Sequence, residues 1–358
     1  MSPLLKQFSK EYSLFLAIIT FFVIGNFEHT LAENVIGNLI GFTILFAVII
    51  YSALSVAYHA EKLAEKFGEP YGTLILTISA VVVEIVIIVI MMTHAHSPTL
   101  ARDTIYSAIM LDINGLLGLA AIIGGIKHGE QPYNVDSSNS YLSMLLVAIG
   151  IAMVLPHFVG DAHHSMFMTF NVILFVLLYV TFTRIQVVSH KYFFKYEGDE
   201  VLEAHHTEEI NAWYHSINLI LSIVVIGMLS EILAVFMGNT LAHYGMPLAI
   251  GAVGVAVISA APELITAVRA AVDNRMQTVV NIALGASLAT VLLTIPAVIV
   301  VTRIIGMELE LELTPIQGVM LVLTLLVSIV NFNDGETNVL EGFLHVILFV
   351  VFAFLLFV

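Results

Sequence analysis

Two glutamates stand where a membrane interior is expected. Glu84 lies within Ala80-Val81-Val82-Val83-Glu84-Ile85-Val86 and Glu263 within Ser259-Ala260-Ala261-Pro262-Glu263, each near the middle of a long apolar run. An acid at that depth costs ~2.5–3.5 kcal/mol on insertion scales, so intramembrane carboxylates are functional candidates by default. Two nearby carboxylates in a dry site repel, and at least one is driven to hold its proton toward neutral pH. One divalent cation cancels both charges, and two protons do the same. Cation and protons therefore compete for one charge-neutral site, which is the requirement for exchanging one for the other.

A hard cation such as Ca²⁺ takes ~6–8 oxygen ligands, of which two carboxylates supply about two to four. Ser79, Ser259, Asn281 and Ser287 are the nearest polar residues to supply the rest, although each also reads as a helix-packing residue. Pro262 removes an amide N–H and frees the carbonyl of Ile258, which predicts a broken helix of the kind that coordinates cations in transporters. Asp112 and Asn114 form a second buried polar pair, suited to ligating the cation or to a proton path. Glu231, Asp161, Glu336 and Glu341 fall near predicted membrane borders and read as interfacial. His94, His96, His163 and His164 gather on one predicted face, where imidazoles bind transition metals or gate with pH, but they lack rigid ligand spacing and read as loop histidines. No histidine–acid constellation at depth is evident from the sequence.

The elements that must position these residues are membrane helices. The 358 residues are 59% hydrophobic and 11% charged, with a mean hydropathy of +1.00. Soluble domains average ~45–50% apolar and ~25% charged, so a water-soluble enzyme is excluded. The absence of cysteine excludes disulfides and thiolate chemistry, and a net charge of −15 argues against nucleic acid as a partner. Apolar runs of about the length that crosses a bilayer occur at 12–27, 35–58, 72–93, 104–126, 141–160, 166–188, 213–237, 246–270, 277–302, 313–331 and 339–358. The first is short, and no small-residue cleavage site closes it, so it reads as a retained span. With the N-terminus inside, ten of the twelve Lys and Arg residues fall on the inner face and only Arg102 and Arg303 on the outer.

The chain also repeats itself. Leu63-Ala64-Glu65-Lys66-Phe67-Gly68-Glu69-Pro70 resembles Leu241-Ala242-His243-Tyr244-Gly245-Met246-Pro247, and each leads into an apolar run. Downstream, Gly72 matches Gly251 and Glu84 matches Glu263 at one common offset, and Thr104 and Ser107 align with Thr278 and Asn281. The copies are five spans apart, an odd number, so they enter the membrane from opposite faces. The reading is an all-α polytopic membrane protein of about eleven helices, one peripheral helix (1–34) and two inverted five-helix repeats (35–188 and 213–358). Residues 189–212 join the repeats and carry Glu197, Asp199, Glu200, Glu203, Glu208 and Glu209 around His205 and His206. They read either as a solvated linker helix or as an acidic element that senses a cation. Inverted repeats are typical of secondary transporters.

These residues resemble the cation/proton exchangers of the calcium/cation antiporter superfamily, and within it the bacterial calcium-sodium/proton antiporters of the ChaA type. The resemblance rests on the repeated mid-membrane Glu84 and Glu263, on Gly285-Ala286-Ser287, on Gly68-Glu69-Pro70-Tyr71-Gly72, on Arg102-Asp103-Thr104-Ile105-Tyr106-Ser107 and on Pro262-Glu263. It implies that Glu84 and Glu263 bind the cation and exchange it for protons, and that 189–212 is the family's cytoplasmic acidic helix. It also implies residence in a bacterial inner membrane. Many members carry Gly-Asn-Ala-x-Glu ahead of the glutamate; here those positions read Ala80 to Val83 and Ser259 to Pro262, so selection among Ca²⁺, Na⁺ and K⁺ does not carry over. The expectation is a secondary active antiporter, not an enzyme, that exports Ca²⁺ against protons without a cofactor, with Na⁺/proton or K⁺/proton antiport on the same site as the alternative. Its partners would be the cation, protons and the lipid bilayer. A channel is disfavoured because acid rings in channels lie at a pore shared by equivalent subunits. An intramembrane hydrolase lacks the nucleophile–base pair it would need.

Overall fold

The structure, a computed structural model, describes residues 11–68, 71–186 and 210–357. Their helices, in chain order, are α1 (Tyr12–Glu33), α2 (Val35–Phe67), α3 (Tyr71–Ala95), α4 (Leu100–His128), α5 (Val135–Phe158), α6 (Asp161–Arg184), α7 (Ala212–Tyr244), α8 (Leu248–Val272), α9 (Met276–Ile305), α10 (Pro315–Asn331) and α11 (Val339–Leu355). Every expected span is a helix, and nine of the eleven are long and apolar enough to cross a membrane. α1 corrects the expectation of a short first span. It runs on through Glu28 and His29 to Glu33 and ends only where Asn34 turns extended to cap α2. Loss of hydropathy at residue 28 ends the apolar run without ending the helix, because no proline intervenes. The acidic stretch from 197 to 209 lies outside the described residues, as do Glu69 and Pro70 of the first repeat motif.

The two repeats are punctuated alike. α2 and α7 are each 33 residues long, α3 and α8 each 25, and α4 and α9 are 29 and 30. Asn34 and Asn211 accept hydrogen bonds from the first turns of α2 and α7, the standard way to satisfy an orphan helix donor. Gly68 and Gly245 close the same two helices at φ of 63° and 61°, a region glycine enters without steric cost. Both α4 and α9 widen into a π-turn, at Leu111–Leu116 and Thr290–Thr294. The first residues of the two turns stand at the same offset as Glu84 and Glu263.

The chain folds into two compact units, each built from both repeats. The first holds α1, α2, α3, α7 and α8 as far as Pro262. Its core is the α2–α7 contact, where Gly41 lets the ring of Phe236 approach and Asn38 Nδ2 donates to Phe236 O (3.0 Å) and Thr240 Oγ1 (2.7 Å). The second unit holds α4 to α6, the end of α8, and α9 to α11. There Gln131–Pro132 pairs antiparallel with Glu336–Thr337, tying the end of α4 to the start of α11. The same two helices cross at Gly118 and Gly342, small residues that let backbones touch. A Cβ at Gly342 would stand 2.8 Å from Gly118 O and Ile122 N, both backbone atoms that cannot swing aside. Gly342→Ala is therefore expected to cost ~1–3 kcal/mol by overpacking. In detergent it should lower the thermal midpoint, while Gly318→Ala, which meets nothing within 4 Å, should not.

Candidate functional site

In the first unit, Glu84 sits at the middle of α3 and is 5% exposed. Residues three, four and seven away share its face, and of these Val81, Ile87, Ile88 and Met91 are buried and apolar. Ser79 is also buried, but five residues back it lies about 140° around the helix, off the Glu84 face. Ser259 stands one turn before Glu263 in α8, and its hydroxyl donates to Ala256 O at 3.0 Å. α8 runs unbroken through Pro262, which corrects the expectation of a broken helix. The residue lacks an amide donor, yet the flanking turns keep helical geometry without a separation into half-helices.

In the second unit, Glu263 is partly buried. The π-turn of α4 carries Asp112, 3% exposed, and Ser287 of α9 donates its hydroxyl to Asp112 Oδ2 at 3.1 Å. Two of the expected residues thus meet directly. Asn114, on the same turn, is fixed from two sides: its amide donates to Thr324 Oγ1 of α10 (2.8 Å), and its carbonyl oxygen lies 3.1 Å from Nδ1 of His345 in α11. Single π-turns are frequent at functional sites because the extra residue re-aims side chains. Here one turn directs Asp112 toward α9 while Asn114 reaches α10 and α11. Asn281 does not join Ser287. It lies six residues earlier, ~9 Å along the axis and a third of a turn away. It accepts from Gln277 Nε2 (2.9 Å), which also donates to Ser137 Oγ, while Gln277 Oε1 accepts from the backbone N–H of Asn134. Asn281 therefore belongs to the junction of α5 and α9.

The end of the Glu263 helix is clamped by the end of α4. Lys127 Nζ and His128 Nε2 each lie 2.8 Å from Val272 O, and Gln131 Nε2 donates to Ala271 O (3.1 Å) and Asn274 Oδ1 (2.8 Å). A cation at a helix C-terminus is favourable both as donor and through the helix dipole. Of the acids read as interfacial, Glu336 is exposed and Glu341 accepts from Asn338 Nδ2 (2.9 Å) in the first turn of α11, whereas Glu231 is exposed well inside α7 and not at its end. His164 approaches Glu312 at 3.3 Å. Among the described residues no three His, Asp or Glu side chains gather to hold a metal ion.

The sequence reading overlooked the buried histidines. His345 is almost fully enclosed beside Asn114. His59 is 0% exposed, with Glu11 at one ring nitrogen and His215 at the other. A signal existed: His59 falls on the helical stripe Leu45, Val48, Ile49, Ser52, Ala53, Val56, Ala60 and Leu63 that α2 buries.

Comparison with known proteins shows what the chain as a whole resembles. The family described as sodium/calcium exchanger protein matches residues 37–188 and 215–358. The sodium-potassium/proton antiporter ChaA of Escherichia coli K12 is 32% identical over 292 residues, 80% of each chain. The Ca²⁺/H⁺ antiporter ChaA of Bacillus subtilis 168 is 26% identical over 230 residues, 63% of this chain and 66% of the other. The solved structure of native YfkE superposes with a TM-score of 0.73 at 23% identity, covering 94% of this chain and 99% of that one. At that identity the likeness is one of fold.

The clamp on α8 generates a local prediction. Gln131→Ala removes side-chain hydrogen bonds worth ~0.5–1.5 kcal/mol each. Two such bonds sum to ~1–3 kcal/mol, so hydrogen exchange at residues 271–275 should rise by roughly five- to a hundredfold, as local opening follows local free energy, while the middle of α9 keeps its protection.

Proposed function

The chain belongs to the sodium/calcium exchanger protein family, and from that premise we propose that Glu84 and Glu263 bear the transported cation and the protons exchanged for it. The protein is a multi-pass cation/proton antiporter, a secondary transporter and not an enzyme. The observation that carries the site assignment is the equivalence of the two acids. They occupy the middles of two 25-residue helices, at the offset that also relates Gly72 to Gly251, in a chain whose repeats share helix lengths, caps and π-turns. A single acid within an apolar helix has structural explanations; a pair kept at equivalent positions of both repeats points to shared work.

The mechanism follows from charge. With both carboxylates ionised, a divalent cation is held and the site is neutral; two protons displace it and neutrality is kept. Either loaded form can cross between access states, whereas the doubly ionised empty form is held back by its uncompensated charge. Strict exchange results without any further gate. Ser259 stands one turn from Glu263 and is a ligand candidate through its oxygen. Ser79 and Asn281 are weaker candidates, one off the Glu84 face and the other engaged with Gln277. Asp112, with Ser287 donating to it, is a third buried carboxylate and takes the role of a proton carrier.

Ca²⁺ is the cation we assign, because two carboxylates match a divalent charge and one relative is named a Ca²⁺/H⁺ antiporter. A monovalent reading has its own support in the relative named for sodium, potassium and protons. The N-terminus is assigned to the cytoplasm of a bacterial cell and the protein to the inner membrane. In support, Lys62, Lys66, Lys127, Arg184, Arg269 and Arg275 all lie at or just beyond the C-terminal ends of α2, α4, α6 and α8, the same face in an alternating bundle, against Arg102 and Arg303 on the other.

Everted vesicles with an imposed pH gradient test the assignment. Ca²⁺ should dissipate the gradient in the wild type, and Glu84→Gln and Glu263→Gln should each reduce this to the vesicle background. Dissipation by Na⁺ or K⁺ alone would move the function to monovalent antiport. Cation-driven dissipation that survives both substitutions would overturn the site.

A further inference from the structure

Within the first unit, three elements distant in sequence converge on one buried imidazole. His59, near the end of α2, is enclosed completely. Its Nδ1 lies 2.9 Å from Nδ1 of His215 on the first turn of α7, and its Nε2 lies 3.3 Å from Oε2 of Glu11, immediately before α1. The other oxygen of Glu11 accepts from the hydroxyl of Tyr214. Tyr58 and Tyr214 pack edge-on against the imidazoles. Neither histidine, nor Glu11, belongs to the transport chemistry described above.

The contact has a protonation rule written into it. Two ring nitrogens at hydrogen-bond distance need one donor and one acceptor. With both imidazoles neutral, His59 donates Nε2–H to Glu11 and accepts at Nδ1 from His215. With one added proton the chain still closes, and the Glu11 carboxylate balances the charge. A second proton puts an N–H on both facing nitrogens and two positive rings in contact, so the contact must open. Among the described residues the charged or titratable groups facing the pair are Glu11 before α1, Tyr214 on α7, and Tyr58, Lys62 and Glu65 on α2. At this end α3 adds the exposed phenol of Tyr71.

The location gives the rule a consequence. α2 and α7, at 33 residues each, are ~50 Å long against a hydrocarbon core of ~30 Å. The His59–His215 contact joins their ends on the face assigned to the cytoplasm, and Glu11 adds the start of α1. We propose that Glu11, His59 and His215 form a proton-operated latch that holds the cytoplasmic ends of α1, α2 and α7 together and releases them when the cytoplasm acidifies. Release weakens exchange, so proton entry through the antiporter limits itself. The regulatory consequence rests on the antiport reading; the latch does not.

The chain supplies its own reporter. Trp213 is the sole tryptophan, exposed, and two residues from His215. Its fluorescence should be titrated in lipid nanodiscs from pH 8 to pH 5, beside Ca²⁺-dependent proton flux in proteoliposomes with the pH of each face set separately. The expected result is a fluorescence transition matched by a fall in flux as the pH of the cytoplasmic face drops. His59→Gln and His215→Gln should remove both. Glu11→Gln, which keeps the shape but removes the stabilising anion, should make the pair harder to protonate and leave a latch that opens at a displaced pH. If the three variants reproduce the wild-type fluorescence curve, there is no latch. If fluorescence responds as expected but flux ignores the pH of the cytoplasmic face, the regulatory role is overturned. A wild type without flux would refute the antiport reading, while the fluorescence titration would still decide the latch.

Discussion

Charge in hydrocarbon has to be compensated where it stands, and the architecture follows from that constraint. Backbone polar groups are satisfied inside helices because a bilayer core offers them no water. Buried hydroxyls are handled the same way: Ser52, Ser230, Thr302 and Ser328 each donate to the carbonyl four residues back in their own helix. Ser287 does otherwise and donates to a carboxylate on another helix. That contrast separates hydroxyls satisfied within their own helix from one that satisfies an acid across helices. It also explains why carboxylates, which no single helix can satisfy, must find a hydroxyl, a cation or a proton.

The repeats have diverged unevenly, and the pattern fits that constraint. The first three helices of each repeat agree in length to within one residue. The last two do not: α5 and α6 run 24 residues each in their helical spans, against 17 for α10 and α11. The helices that carry Glu84 and Glu263 are among those that keep their length, as the proposed sharing of one ion by the two acids requires. Asp112 has no acidic counterpart, because the offset that carries Glu84 onto Glu263 carries Asp112 onto Val291. That difference is why the proposal gives the symmetric Glu84 and Glu263 the exchanged ions, and gives Asp112, an acid in one repeat only, a step that concerns the proton alone.

Much of this was legible in the residues themselves. Eleven apolar runs became eleven helices, and the recurrence of Leu-Ala, an aromatic residue, Gly and Pro foretold two helix ends that glycine closes at positive φ. Isolated acids in Val-rich and Ala-rich runs announce themselves by cost. What stayed hidden depends on partners across space. Nothing in Leu111-Asp112-Ile113-Asn114 marks a π-turn, since its extra residue is accommodated by neighbouring helices. Pro262 reads as a break, yet α8 passes through it. Ser79 is close to Glu84 in sequence but lies off its face, and Asn281 is drawn away by Gln277. His59 and His345 looked like ordinary residues of apolar helices, because periodicity tells which face is buried and is silent about what lies opposite.

Transport and its control by protons place opposite demands on location. A transported proton must leave the site as neutral as the cation it replaces, so its carrier belongs at depth, where any imbalance is costly. A sensing proton has to change the net charge of its cluster, or nothing would move. Such a change is tolerable only near water, where helices outrun the hydrocarbon. Among the described residues α2 and α7 are the longest helices, at 33 residues each, and histidine is the side chain whose unperturbed titration falls in the cytoplasmic range. In the proposed scheme the carboxylates take the proton as substrate and the imidazoles take it as signal, each at the dielectric its role requires.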